Sequence, residues 1–391
     1  MKKSDKILKR QKYKIHFKND DMDFNFNWLL GIGELFGMSH GELFFLASQM
    51  TKESPTEWRR VFSNHADFLF KSAHDAEKDQ LINLAAERYL GATYAYKAVL
   101  QFSNPATPEF SKTVSAMEQA FLLGTKQLGA PVTSIDIPYK DTTLPGYHLK
   151  IDDSPRPTLI MVGGGDTSRE DLFYFAGYPG WKRGYNVLMV DLPGQGKNPS
   201  RGLTFTVQAN ESISAIVDWL KAHDEQVTKI ALYGVSGGGY FTAQAVEHDV
   251  RIDAWVASTP IYDVAELFRK EFGAALKAPG WLINNILKLS GNFNEVANIS
   301  LKKYAWQFGT TDFASAIGEV FKQATVVDST KLNCPALFMM GESEGPELQR
   351  QTRILFDSFN ERGIPVTLRV FTAEDGADAH CQVNNLKLAH T

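Results

Sequence analysis

Ile230-Ala231-Leu232-Tyr233-Gly234-Val235-Ser236-Gly237-Gly238-Gly239-Tyr240 is an apolar run that breaks into glycines around a single serine. Its first half reads as a buried strand. Tyr240-Phe241-Thr242-Ala243-Gln244-Ala245-Val246 then takes up helical spacing. The join, Gly234-Val235-Ser236-Gly237-Gly238, reads G-x-S-x-G, the tight turn that carries a serine from strand to helix with its hydroxyl exposed. Ser236 would sit at a helix N-terminus, where free N–H groups favour a developing oxyanion. A phosphate-cradling loop is the competing reading, but neither G-x-G-x-x-G nor G-x-x-x-x-G-K-[ST] is present in this stretch.

A serine hydroxyl is a weak nucleophile unless a base takes its proton and a third group holds that base. In this chain order the base follows the last strand and the acid follows the strand before it. Phe371-Thr372-Ala373-Glu374-Asp375-Gly376-Ala377-Asp378-Ala379-His380 puts His380 on a loop of small residues after the strand expected at 366–371. His390, in what reads as a terminal helix, is the poorer candidate. Gly341-Glu342-Ser343-Glu344-Gly345-Pro346-Glu347 follows the strand expected at 336–340. Glu344 is the expected acid, Glu342 the alternative, and Glu347 a helix-start charge. The oxyanion donors are expected from the N–H of Gly237 and from Gly163-Gly164-Gly165-Asp166, with Gly165 first and Gly164 and Asp166 as alternatives. Four features in the expected order imply a serine hydrolase. Asp191-Leu192-Pro193-Gly194-Gln195-Gly196 is expected to shape the mouth of the site without taking part in chemistry.

The rest of the chain frames that site. With 391 residues, 43% hydrophobic and 22% charged, it suits a large folded core with an appendage and excludes a disordered polymer. A net charge of −4 gives no reason to expect nucleic acid. Two cysteines, Cys334 and Cys381, cannot form a disulfide framework, so a reducing, cytoplasmic setting is expected. No secretory signal and no membrane span are read. The lysines and arginine that crowd residues 1–24 read as a solvated, frayed arm rather than a binder of anionic surfaces.

Residues 25–130 read as a helical N-terminal domain, with His65 packed on its apolar stripe. Residues 131–260 and 333–391 read as two parts of a mostly parallel eight-stranded α/β core. The core opens on a hairpin, 134–139 and 146–151, turned at Leu144-Pro145-Gly146. Residues 261–332 read as a helical insertion capping the sheet, with helices at 264–276, 282–289 and 301–308. Trp281, Phe293, Tyr304, Trp306 and Phe308 would line its interior.

From about 131 to 391 these residues resemble the α/β-hydrolase superfamily. The nearer resemblance is to the group of the fermentation–respiration switch protein, 2,6-dihydroxypseudooxynicotine hydrolase and the fungal polyketide-shortening pigment hydrolases. Gly164-Gly165-Asp166-Thr167, the Asp191–Gly196 motif and Gly376-Ala377-Asp378-Ala379-His380-Cys381-Gln382 carry it, with the helical N-terminal domain. The resemblance implies a Ser236–Glu344–His380 triad beneath a joint cap, with no cofactor and no metal. Glu344 stands where relatives more often have aspartate. The substrate implied is a small molecule with an apolar, aromatic or polyketide-like part, cleaved at an ester, amide or C–C bond beside a ketone. In one relative an extra acid assists C–C cleavage, a role Asp263 or Glu266 would fill here; a helix cap is the competing role for Asp263. A non-catalytic binding or regulatory protein is the alternative reading, and a homodimer is left open.

Overall fold

The structure, a computed structural model, describes residues 9–130, 132–272 and 294–391. Helices come first: α1 (Asp20–Gly33), α2 (His40–Ser48), α3 (Pro55–Lys78), α4 (Ile82–Gln101) and α5 (Pro108–Gln127). Ser54 caps α3 by accepting from the Glu57 amide, and Pro55 starts the helix without wasting an N–H. α1 begins at Asp20 rather than at 25, because Asn19 accepts from the amides of Asp21 and Met22. α4 is buried almost end to end between α3 and α5. A helix apolar on all sides belongs inside a domain.

The frayed-arm expectation is corrected from residue 9 onward. Asp23, fully buried on α1, accepts from the amides of Ile15, His16 and Phe17 and from Gln11 Nε2. A buried carboxylate has to be satisfied, and folding the arm back over α1 satisfies it.

The sheet comprises β1 (Val132–Tyr139), β2 (Thr142–Leu149), β3 (Arg156–Val162), β4 (Asn186–Val190), β5 (Val227–Val235), β6 (Ala254–Ser258), β7 (Ala336–Gly341) and β8 (Val366–Phe371). Their spatial order is β1-β2-β4-β3-β5-β6-β7-β8, antiparallel through β4 and parallel from there to β8. Every residue of β4 is buried, as a strand covered on both faces must be. One core lies between the sheet and the N-terminal helices, and a second lies on the opposite face. This is the α/β-hydrolase fold.

The opening hairpin departs from expectation. It turns at Lys140-Asp141, where Lys140 has φ +53°, and Leu144-Pro145-Gly146 lies inside β2. Leu144 is buried, Pro145 keeps its place in the strand through its carbonyl, which accepts from Asp191, and Gly146 serves close approach rather than a turn. A Cβ at 146 would lie 3.2 Å from both Ile135 Cγ1 and the Met189 carbonyl.

After β3 come α6 (Arg169–Leu172) and α7 (Tyr178–Lys182), and after β4 comes α8 (Asn210–His223). α9 (Gly238–His248) follows β5, and α10 (Val264–Phe272), α11 (Glu295–Gln307) and α12 (Phe313–Gln323) stand between β6 and β7. α13 (Pro346–Glu361) and α14 (Leu386–Ala389) complete the chain. The helix expected at 301–308 begins earlier, at Glu295, because Asn294 caps it by accepting from Ala297. The helix expected at 282–289, the end of that expected at 264–276, and Trp281 and Phe293 lie outside the described residues. Among the described residues no helix is long and apolar enough to cross a membrane.

Candidate active site

β5 ends at Val235 and α9 begins at Gly238, so the chain must reverse within Ser236 and Gly237. Ser236 does so at φ +59°, a conformation that a side chain with a Cβ adopts at a cost of about 1 kcal/mol or more. That strain turns its hydroxyl away from the sheet, and Ser236 is partly open while Val235 and Gly238 are buried.

His380 Nε2 lies 2.8 Å from Ser236 Oγ, and its Nδ1 lies 3.2 Å from Glu344 Oε1. A carboxylate only accepts hydrogen bonds, so Nδ1 carries the proton in the neutral ring and Nε2 is left to accept from the serine. Glu344 follows β7 with its side chain fully buried. Thr259 Oγ1 donates to it, 2.6 Å from Oε1 and 2.5 Å from Oε2, and the Cys381 amide donates to Oε1 at 3.3 Å. These bonds give the buried carboxylate oxygens their hydrogen-bond partners. Burial works against a charged His380, but Cys381 and the Glu344 carboxylate favour it and raise the imidazole from 6.5 to about 10. The chain bends sharply after His380: Cys381 and Gln382 have φ +56° and +54°. Cys381 Sγ donates to the Ser258 carbonyl and Ser258 Oγ donates to Gln382 Oε1 at 2.9 Å, tying the bend to the end of β6.

The loop after β3 crosses the elbow. A Cβ at Gly164 would stand 2.5 Å from the Gly237 nitrogen and 3.1 Å from Ser236 Oγ, so only glycine leaves that space open. The Gly164 amide is engaged, donating to Thr167 Oγ1 at 2.7 Å. Among the described residues the Gly165 amide has no partner, and its nitrogen lies 3.8 Å from where a Cβ on Gly237 would be. Buried Gln195 grips the loop from below, its Nε2 donating to the carbonyls of Gly163 and Gly164 at 2.7 and 2.9 Å. With the Gly164 carbonyl turned toward Gln195, the Gly165 N–H of the same trans peptide points the opposite way.

The helical domain holds the far end of the same loop. Lys97 on α4 pairs with Asp171 at 2.7 Å and donates to the Asp166 carbonyl at 2.8 Å, and Tyr94 donates to Asp171. A small cavity of about 50 Å³, open to solvent, lies between α4, α5, α11 and this loop. Leu100, Phe110, Val114, Met117 and Trp306 supply its apolar wall, and Gly165 and Asp166 of this loop line it as well.

Other expected residues fall elsewhere. Glu342 accepts from the Ala373 amide on the surface, and His390 meets the Tyr174 carbonyl. Asp263 caps α10 by accepting from Glu266, whose own carboxylate pairs with Arg269 and Lys270. Neither acid bonds to Ser236, His380 or Glu344 among the described residues. The residues that sequence reasoning missed are Thr259 and Gln195. Gln195, a long amide inside Pro193-Gly194-Gln195-Gly196, was the available signal, since a turn needs no such side chain.

Residues 125–298 match the model of the X-Pro dipeptidyl-peptidase (S15) family, a span that contains Ser236 but neither Glu344 nor His380. The chain is 28% identical to the α/β hydrolase xenA of Xenoacremonium sinensis, covering 83% of this chain and 82% of that protein. It is 27% identical to the 20-hydroxy-prefusarin hydrolase FUS2 of Gibberella moniliformis, covering 82% of each. Among solved structures, 2,6-dihydroxy-pseudo-oxynicotine hydrolase shares the fold, with a TM-score of 0.65 at 16% identity over 90% of each chain. The sheet order and these similarities show an enzyme with the α/β-hydrolase fold.

Proposed function

We propose that this enzyme is a serine hydrolase in which Ser236 is the nucleophile, His380 the base and Glu344 the group that holds the base. The observation that carries the reading is the continuous hydrogen-bonded chain from Ser236 Oγ through both ring nitrogens of His380 to the buried Glu344 carboxylate. His380 takes the hydroxyl proton as Ser236 attacks a carbonyl carbon. The resulting oxyanion rests on the amides of Gly237 and Gly165. Collapse expels the leaving group, which His380 protonates, and water then frees the acyl group from Ser236 by the same route. Asp263 and Glu266 have no part in this reading, because a helix cap and ion pairs engage them.

The substrate is a small organic molecule with an apolar or aromatic part and an ester, amide or ketone carbonyl. The apolar wall beside Gly165 supports this, as does the small molecule named for the Gibberella relative. A panel of p-nitrophenyl esters of rising acyl length, anilides and β-diketones separates the three bond types, with Ser236→Ala as control. Turnover of at least one class by the wild type alone is expected. A folded wild type that turns over none of them contradicts the proposal.

Gly164→Ala places a methyl group against the Gly237 donor and the nucleophile. Loss of one oxyanion donor lowers kcat by about 100-fold or more, so a loss of that order is expected, together with a lower melting temperature because the backbone must shift to make room. Full kcat in this variant, measured under saturating ester, would remove Gly237 from its assigned role.

The pH dependence has a definite sign. Catalysis needs neutral His380, and its raised pKa keeps the ring protonated to higher pH. kcat/KM therefore rises with pH through a limb lying above the 6.5 of free imidazole, and activity is lost as pH falls through it. A limb at or below 6.5 in the wild type would count against the environment described for His380.

A further inference from the structure

The arm ahead of α1 is threaded between the three loops that carry the site. The Lys9 carbonyl accepts from the amide of Gly345, the neighbour of Glu344, at 2.9 Å. The Arg10 carbonyl accepts from the His380 amide at 2.7 Å. The Arg10 guanidinium points the other way, hydrogen-bonded to Asp21, stacked 4.1 Å above the Phe24 ring and 3.5 Å from Asp166 Oδ2. Asp166 immediately follows Gly165 and is also paired at 2.9 Å with Lys303 on α11. One residue thus touches the base loop with its main chain and the oxyanion loop with its side chain.

We propose that Arg10 is a positioning residue that sets the spacing between the His380 loop and the Gly165 oxyanion loop, an inference that rests on the serine-hydrolase reading above. The Arg10–Asp166 pair is partly open to solvent, so its contribution to global stability is small. Its effect is geometric. The proton leaves Ser236 on the His380 side and charge appears on the Gly165 side, so both loops must be in place at once. Guanidinium suits the task because its planar fork serves Asp21 and Asp166 while its face rests on Phe24. The buried Asp23 anchor folds the following residues onto α1 and keeps the arm from sliding.

Arg10→Ala and Arg10→Lys in the full chain, with p-nitrophenyl butyrate as substrate, test the assignment. Displacement of catalytic groups by a fraction of an ångström to 1 Å lowers rates by about 10- to 100-fold, so Arg10→Ala should lose kcat by about tenfold with KM changed by less than about twofold. Arg10→Lys should recover part of the loss, because it keeps the charge but not the fork. Hydrogen exchange should quicken in peptides covering 163–168 and 378–382 and stay unchanged in 230–235. Unaltered kcat, unaltered exchange in both loops, or a lysine variant no better than alanine would each overturn the role. Ser236→Ala in the same assay separates the two claims. Turnover retained by Ser236→Ala removes the serine reading, whereas an inactive Ser236→Ala beside a fully active Arg10→Ala removes the Arg10 role alone.

Discussion

Ser236→Ala is expected to lower kcat by about 10⁴- to 10⁶-fold, the range over which removal of a nucleophile acting in concert with its base leaves only oxyanion stabilisation and binding. The large effect follows from the way the elbow is built. The hydroxyl is held at 2.8 Å from His380 Nε2, and no other described hydroxyl or thiol bonds to that nitrogen. Cys381, next in the chain, is no substitute, because its Sγ donates to the Ser258 carbonyl. Alanine keeps the Cβ and removes one oxygen, so φ +59° is strained in both proteins and the melting temperature should move by only a few degrees. KM for an ester bound through its apolar part should change little. The check is single-turnover and steady-state kinetics on the same ester; a residual rate within about tenfold of wild type would exclude Ser236 as the nucleophile.

Glu344→Gln is expected to cost about 10³- to 10⁴-fold in kcat, the effect of presenting the wrong tautomer to the nucleophile. A glutamine fills the same space but offers both an N–H and a C=O. If its amide donates to Nδ1, the ring proton moves to Nε2 and the base is blocked. Thr259 Oγ1 and the Cys381 amide both donate toward the Glu344 oxygens, so they favour an acceptor here and resist an amide N–H. The same substitution removes one of the charges that raise His380, so any remaining activity should have its pH limb shifted toward acid. Glu344→Asp withdraws the carboxylate by one methylene from a 3.2 Å contact and should restore activity only in part. Equal kcat in Glu344→Gln and wild type would assign the orienting role elsewhere.

Much of this arrangement was legible in the sequence because strand–turn–helix chemistry is local. The glycines around Ser236, the small residues before His380 and the position of Glu344 after a strand can each be read within a few residues. Chain order then specifies which loops meet. The sheet was legible for a related reason: a strand buried on both faces, such as β4, is apolar over Val187-Leu188-Met189-Val190. What escaped depends on contacts between segments far apart. Leu144-Pro145-Gly146 has turn composition, yet packing of Leu144 and close approach by β4 keep it in a strand, and the less conspicuous Lys140-Asp141 makes the turn. The basic arm looks solvated until buried Asp23 is seen to accept its amides. Thr259 and Gln195 read as ordinary loop residues because their partners lie 85 and 31–32 positions away. Asp263 and Glu266 carry the right charge in the expected loop, but the start of α10 takes one as its cap and the other into surface ion pairs.

The central claim is that a single activated serine sits at the elbow, and active-site labelling with a fluorophosphonate probe tests it most directly. The full-length protein is treated with a slight excess of probe, then read by intact mass and peptide mapping. One adduct, on the peptide carrying Gly234-Val235-Ser236-Gly237-Gly238, abolished in Ser236→Ala and strongly slowed in Glu344→Gln, is the predicted result. Well-folded wild-type protein that stays unlabelled, or that carries its adduct on another residue, would contradict the account.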